Sequence, residues 1–233
     1  FGLWADENAH YARELDVELD KLYPLVAAPH HVDNVKAVAE VAGREVQQGL
    51  IGTCTNGRLE DFHQAAAILK GKHIKPGFQL LIAPASKEIY MQMVQDGTLT
   101  TLMDAGATIL SSSCGPCLGT GQGIPADGIT VLSTANRNFK GRMGNKNAEI
   151  FLASPACVAH AALNGAITDP RPQPGNEQFP YPKKQSTSVD IPANQTRREK
   201  GVWNYTDADN LNTDQMFAGN LTYNVLSSDG EAI

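Results

Sequence analysis

Residues 49–69 read GLIGTCTNGRLEDFHQAAAIL, and they combine a strand pattern with a helix pattern. Its first five residues are apolar or small and predict a strand at 49–53, whereas its last eleven repeat apolar residues at helical spacing and predict a helix at 59–69. A strand written as an apolar run, without polar alternation, is buried on both faces of a sheet. The stretch therefore indicates a buried parallel strand followed by a helix.

The same alternation continues over residues 21–171. Further strands are predicted at 23–27, 78–83, 107–111, 129–133 and 150–153, and further helices at 86–96, 99–105 and 155–163. Ser86 is a capping residue, Pro155 suits a first helical position, and Gly165 lies just past the last helix. We therefore predict an α/β domain with a mainly parallel sheet and helices on both faces.

The composition changes after residue 171. Six of the 13 prolines lie between Pro170 and Pro192, among Gln, Ser and Lys, which predicts an extended linker at 172–200. Apolar and aromatic residues return at 201–233, but so short a segment cannot form a core of its own. We predict three parts: an α/β domain at 1–171, the linker, and the beginning of an incomplete second domain at 201–233.

Composition excludes several classes of protein. The 233 residues have a net charge of −6, 42% hydrophobic residues and 19% charged residues, which fits an ordinary soluble domain and argues against a nucleic-acid binder. No apolar run approaches the ~20 residues of a membrane span. Four cysteines are too few for a disulfide scaffold, so we expect reduced thiols in an intracellular protein. Because the chain opens at Phe1 without a signal peptide, we expect a piece of a longer protein.

Cys114 and Cys117 form the sequence CGPC. Such a pair serves thiol–disulfide exchange, zinc binding or iron–sulfur ligation. The string also occurs in thioredoxins, but Ser precedes it here and Leu-Gly follows it, which disfavours the redox interpretation. A structural zinc site usually needs a second pair, and the other two cysteines are solitary. Iron–sulfur ligation is the favoured interpretation, with the other two left open.

Cys54 and Cys114 each follow a predicted strand. The carboxyl ends of parallel strands meet at one edge of a sheet, so thiolates from these two loops can converge with Cys117 on one crevice. Three cysteines can hold a four-iron cluster with one iron left open, and an open iron acts as a Lewis acid on a hydroxyl or carboxylate oxygen. Cys157 lies in an apolar helical pattern and is predicted to be a buried structural thiol.

The segment STANRNFKGRMG at 133–144 also follows a predicted strand. It brings together two guanidinium groups and two amides, a combination suited to bidentate recognition of carboxylates; these residues are Asn136, Arg137, Asn138 and Arg142. The alternative is a solvated basic loop. We interpret the segment as a site for an acidic substrate.

Four segments together resemble the aconitase superfamily, which includes aconitate hydratase, homoaconitase and the large subunit of isopropylmalate dehydratase. They are IGTCTNGRLEDF at 51–62, SCGPCLG at 113–119, STANRNFKGRMG at 133–144 and FLASPACVAHAALNG at 151–165. The resemblance covers residues 22–171. It is specific because it combines a lone CTN cysteine, a CGPC pair and an NRNFxGR loop.

The resemblance implies a [4Fe-4S] cluster held by Cys54, Cys114 and Cys117, with Asn56 supporting the cluster loop. The fourth iron would bind the hydroxyl and carboxylate of the substrate. The family fold is also implied: the third-domain type of α/β sheet, followed by a linker and a swivel domain whose opening resembles residues 202–224.

For the substrate, the resemblance implies that Arg137 and Arg142 hold carboxylates and that Asn136 lies beside the cluster. The reaction would be reversible dehydration of a hydroxy di- or tricarboxylic acid through an enzyme-bound alkene. The linker favours a fused chain and hence citrate and isocitrate as substrates, through cis-aconitate; isopropylmalate or homoaconitate is the alternative.

The family's acid and base groups come from domains absent here. We therefore expect no complete set of catalytic acid–base residues in this chain, and we expect its partners to be the remaining domains of the enzyme or a complementary subunit. The expected location is the cytoplasm, or the mitochondrial matrix in a eukaryote. A function of another class, iron-sensing RNA binding by the cluster-free form, is disfavoured by the net charge of −6.

Overall fold

The computed structural model describes residues 22–171 continuously, together with residue 6 and residues 8–13 and 15–18. Within these residues seven strands form one sheet. They are β1 (Leu25–Ala27), β2 (Val35–Ala37), β3 (Gln48–Gly52), β4 (Gln79–Ala83), β5 (Thr108–Ile109), β6 (Thr130–Ser133) and β7 (Glu149–Leu152). The predicted linker and second domain lie outside the described residues, so those domain boundaries stay a prediction.

The sheet is mainly parallel. Its strand order is β2-β1-β7-β6-β3-β4-β5, and β3 pairs in parallel with β4 on one side and β6 on the other. The pairs β4–β5 and β6–β7 are also parallel, whereas β1 runs antiparallel to both β7 and β2. This arrangement confirms the predicted fold class. It adds one feature that the sequence pattern does not reveal, an antiparallel hairpin at one edge.

Helices cover the sheet. They are α1 (Thr53–Asn56), α2 (Leu59–Leu69), α3 (Lys87–Gln95), α4 (Thr98–Asp104), α5 (Gly115–Leu118) and α6 (Pro155–Asn164), with a 3₁₀ turn at Val38–Glu40. The side chains of Ser86 and Ser154 cap α3 and α6, accepting the N–H of Ile89 at 3.2 Å and of Cys157 at 3.3 Å. These contacts confirm both predicted helix starts. Among the described residues, no helix has the length and apolar composition needed to cross a membrane.

The core lies on two faces of the sheet and differs in size between them. Successive residues of β4 alternate, with Ile82 in the larger cluster and Leu81 in the smaller. The larger cluster takes apolar residues from α2, α3, α4 and α6. The smaller cluster includes Met143, and the Cα of Gly123 lies against Leu81 on that face. The long helices therefore share one face, and the loops that follow β5 and β6 cover the other.

Backbone packing is tightest at the end of β3. Gly52 has φ +130°, and a Cβ added to it would lie 2.0 Å from the carbonyl oxygen of Ala83. A Cβ on Gly57 would lie 2.3 Å from the carbonyl oxygen of Thr53 and 2.8 Å from the amide nitrogen of Ala85. Both ends of α1 are thus pressed against backbone, where only glycine fits.

The variant Gly52→Ala tests this close approach. We expect it to lower the free energy of unfolding by more than about 2 kcal/mol, because it adds a steric clash to an unfavourable φ. Gly43→Ala is the matched control: Gly43 has φ +82° but no atom within 4 Å of its added Cβ, so only the conformational penalty remains. Urea unfolding measures both. Equal losses in the two variants would contradict the packing described.

Candidate functional site

The predicted site residues lie at one edge of the sheet. Cys54 is in α1, directly after β3, and the segment that begins at Asn136 follows β6. Cys114 immediately precedes α5, in the segment that follows β5, and Cys117 lies within α5. Because β3, β5 and β6 belong to the parallel part of the sheet, their carboxyl ends open to the same side. The strand topology therefore brings these segments to a common edge, while the convergence of the three thiols stays a prediction.

Cys54 is exposed and lies within reach of a side-chain amide. The Nδ2 of Asn136 donates to the Sγ of Cys54 at 3.8 Å, and the hydroxyl of Thr55 lies at the same distance from that sulfur. Hydrogen-bond donors beside a sulfur stabilise its negative charge. The sulfur of Cys54 therefore lies beside two polar side chains of the site.

Thr53 holds the backbone of this turn in a strained conformation. Its φ of +69° is left-handed, which a β-branched residue rarely adopts, and the residue is 3% exposed. Its hydroxyl is buried without a hydrogen-bond partner among the described residues. An unsatisfied buried hydroxyl costs about 1–3 kcal/mol, which adds to the unfavourable backbone conformation of this turn. Sequence patterns do not reveal this conformation, and Thr53 was absent from the predicted site.

In the CGPC segment one thiol is exposed to solvent and the other is buried. Cys114 is exposed and lines a cleft of about 430 Å³ together with Ser111, Ser113, Thr120 and Gln122. Cys117 is 6% exposed, and its Sγ accepts a hydrogen bond at 3.8 Å from the Nη2 of Arg142. The loop after β6 therefore contacts sulfur from both cysteine segments, through Asn136 and through Arg142.

The two arginines of that loop are held by local contacts. Arg142 lies over the ring of Phe139, 5.5 Å from its centroid, while its Nη2 reaches Cys117. The Nη1 of Arg137 donates to the carbonyl of Asn136 at 3.2 Å. Both arginines are half-buried. Contacts of this kind limit the rotamers of a guanidinium and prepare it for bidentate recognition of a carboxylate.

Asn138 has a different role from the one the sequence suggested. Its side chain is fully buried, and its Nδ2 donates to the carbonyl oxygens of Ala28 at 2.8 Å and Ala27 at 3.4 Å. The interpretation that both amides of the loop face a carboxylate is therefore wrong for Asn138. This residue fastens the loop to the end of β1, and the pairing of β1 with the distant β7 explains why sequence spacing did not show it.

The structure also tests which metal groups suit these residues. In the described part of the chain, no three His, Cys, Asp or Glu side chains are arranged to hold a single metal ion. A structural zinc site needs four ligands on one ion, so the zinc interpretation finds no support there. In an iron–sulfur cluster each thiolate binds a different iron, and the ligands need not meet at one point. Three thiols without disulfide bonds, two of them within reach of donors from the loop after β6, fit such a cluster.

Cys157 lies in the apolar core. It is 1% exposed in the third position of α6, and burial raises the pKa of its thiol. A buried, protonated thiol neither reacts readily nor binds metal. The prediction of a buried thiol is confirmed.

Comparisons with a family model and with curated proteins point to the same family. Residues 36–165 match the model of the aconitase family, described as aconitate hydratase. The chain is 53% identical over 167 residues to 3-isopropylmalate dehydratase large subunit 2 of Archaeoglobus fulgidus, covering 72% of this chain and 40% of that protein. It is 49% identical over 168 residues to the homoaconitase large subunit of Thermus thermophilus, covering 72% and 40%. The chain thus spans about two fifths of the length of these curated relatives.

The exposure of the four thiols predicts an order of chemical modification. In the metal-free chain under native conditions, iodoacetamide should modify the exposed Cys54 and Cys114 first and leave Cys117 and Cys157 protected. Cys157 should react only after unfolding, because its thiol is buried and its pKa is raised. Peptide mass spectrometry of a time course measures the four rates. Fast native modification of Cys157 would contradict the structure.

Proposed function

The chain belongs to the aconitase family, and we propose that it is the cluster-bearing part of a [4Fe-4S]-dependent hydro-lyase acting on a hydroxy-polycarboxylate. One observation carries the proposal. The loop after β6 contacts sulfur from both cysteine segments, since Asn136 reaches Cys54 and Arg142 reaches Cys117. The proposed metal ligands and the proposed carboxylate-binding groups are therefore in contact with each other.

Cys54, Cys114 and Cys117 would hold the cluster. When bound, the cluster supplies a Lewis acid that polarises the substrate hydroxyl. The protein's own contribution is electrostatic: the Asn136 amide and the Arg142 guanidinium donate to sulfur and offset the negative charge of the thiolates. Asn56 supports the turn from behind, since its Nδ2 donates to the carbonyl oxygen of Thr134 at 2.6 Å.

Arg137 and Arg142 would bind the carboxylates of the substrate. A guanidinium presents a planar fork that matches a carboxylate, and it keeps its charge at every physiological pH. Because Arg142 also contacts Cys117, a carboxylate on this arginine would lie beside the cluster. Binding there would orient the substrate for loss of its hydroxyl. The acid and base groups for the proton transfers would come from domains outside this chain.

The comparisons change the expected substrate. Citrate and isocitrate, the first expectation from the linker, are not supported, because the similar relatives are named as large subunits of isopropylmalate dehydratase and homoaconitase. The alternative is favoured: a hydro-lyase for isopropylmalate or homoaconitate. The words "large subunit" in those names also support a smaller complementary subunit as the partner.

Removing one thiol tests the cluster. The full-length protein, purified without oxygen, should be brown and contain about four irons per chain, and Cys114→Ser should abolish the visible absorption and most of the iron. Cys157→Ser is the matched control, because this thiol is buried in the apolar core and its loss should leave the iron content unchanged. Stoichiometric zinc in a colourless wild-type protein would contradict the proposal.

A substrate panel tests the specificity. With its partner subunit present, the enzyme should convert isopropylmalate or homoaconitate with a kcat/KM about tenfold or more above that for citrate, the scale on which a substrate pocket separates related side chains. Absorbance of the alkene product measures each rate. A preference for citrate or isocitrate would instead restore the first expectation.

A further inference from the structure

Thr134 connects the turn that carries Cys54 to the loop that carries Asn136. We propose that Thr134 is a positioning residue, which fixes the Cys54 thiol relative to the Asn136 amide through its buried hydroxyl. The inference rests on the proposed function, because it assigns Thr134 a role in retaining the cluster.

Four hydrogen bonds converge on Thr134. Its hydroxyl accepts from the N–H of Gly52 at 2.9 Å and lies 3.3 Å from the Gly52 carbonyl, to which it can donate. Its own N–H donates to the carbonyl of Leu50 at 2.9 Å, and its carbonyl accepts from the Nδ2 of Asn56 at 2.6 Å. Gly52 and Asn56 flank Cys54 in sequence. One residue therefore holds the turn on both sides of the thiol.

These bonds begin where the sheet pairing stops. The ladder between β3 and β6 ends at the pair Leu50 and Ser133, one residue before Thr134. Beyond that pair, the hydroxyl of Thr134 continues the connection to Gly52, which no ladder bond between these strands supplies. The link between the two loops therefore depends on a side chain.

Burial makes this link hard to replace. Thr134 is 1% exposed, so water cannot substitute for its hydroxyl, and deleting the hydroxyl would leave the Gly52 amide unsatisfied. The hydrogen bonds of Thr134 also help to hold Thr53 in its left-handed conformation. A β-branched residue stays in this conformation only where its surroundings fix it. At the other end, the backbone after Thr134 is held by the N–H of Ala135, which donates to the Oγ of Ser133 at 3.1 Å. Asn136 follows directly.

Thr134→Val in the full-length, cluster-loaded protein tests the inference. Valine keeps the shape of threonine and removes the hydroxyl, so we expect iron to be lost in air about tenfold faster, the factor that one hydrogen bond of ordinary net strength supplies. Thr134→Ser keeps the hydroxyl and should restore nearly the wild-type rate. The electron paramagnetic resonance signal of the oxidised cluster should change in the valine variant and stay unchanged in the serine variant.

Thr130→Val is the matched control. Thr130 is a buried threonine at the opposite end of β6, about 13 Å away by strand rise, so its loss tests burial without touching the Cys54 turn. Iron loss should stay at the wild-type rate in this variant. A wild-type rate in Thr134→Val, or equal acceleration in both valine variants, would overturn the inference. If Thr134→Val does not fold, Asn56→Ala removes another bond of the same link from a half-buried position.

Hydrogen exchange separates this inference from the proposed function. In the metal-free chain, the Gly52 amide should exchange about tenfold faster in Thr134→Val than in the wild type, because its acceptor is gone. If the wild-type protein takes up no iron, the proposed function fails, and the role of Thr134 in cluster retention fails with it. Faster exchange of the Gly52 amide in Thr134→Val would still show that Thr134 holds the turn. Unchanged exchange of Gly52 would overturn the inference whatever the metal content.

Discussion

The parallel pairing of β3 with β4 and β6 is the constraint on which the structure depends. All five residues of β3 are buried, so this strand must lie in the middle of the sheet with apolar partners on both faces. Once β3 and β6 run in the same direction, their carboxyl ends share an edge, and Cys54 meets Asn136 there although 82 residues separate them in the chain. Burial of the apolar strands thus brings the two polar loops to one edge, where side-chain hydrogen bonds fix their relative positions.

The charges of the candidate site partly balance one another. The chain has a net charge of −6, and clustered thiolates would add negative charge at one edge of the sheet. The Asn136 amide and the Arg142 guanidinium point at sulfur, so the groups that offset the thiolates belong to the same loop as the groups suited to carboxylates. Under the proposed function, one loop would serve both metal binding and substrate binding, and displacement of that loop would affect both.

Local sequence patterns predicted the long helices and the central strands. Helix α2 has the predicted bounds because its apolar spacing is regular, and α6 differs by one residue. The misses have two physical causes: β2 is a three-residue edge strand too short to show periodicity, and the left-handed backbone of Thr53 is imposed by tertiary packing. Of the site, residue types and spacing identified the cysteines and the arginine loop. The burial of Asn138 and the bonds of Thr134 depend on contacts between distant segments, which no local pattern contains.

The edge hairpin affects the order in which the chain folds. The unit β3-α2-β4 is contiguous in sequence and can form early, since its loops are short and its contacts local. Ala27 of β1, by contrast, pairs with Leu152 of β7, and Asn138 fastens its loop to the same end of β1. During synthesis β1 leaves the ribosome first among the described strands, and almost the whole domain must follow before its β7 partner is made. β1 can pair with β2 as soon as both are made, but its attachment to the main sheet through β7 comes late, and the Asn138 contact of the arginine loop is completed at the same end of β1.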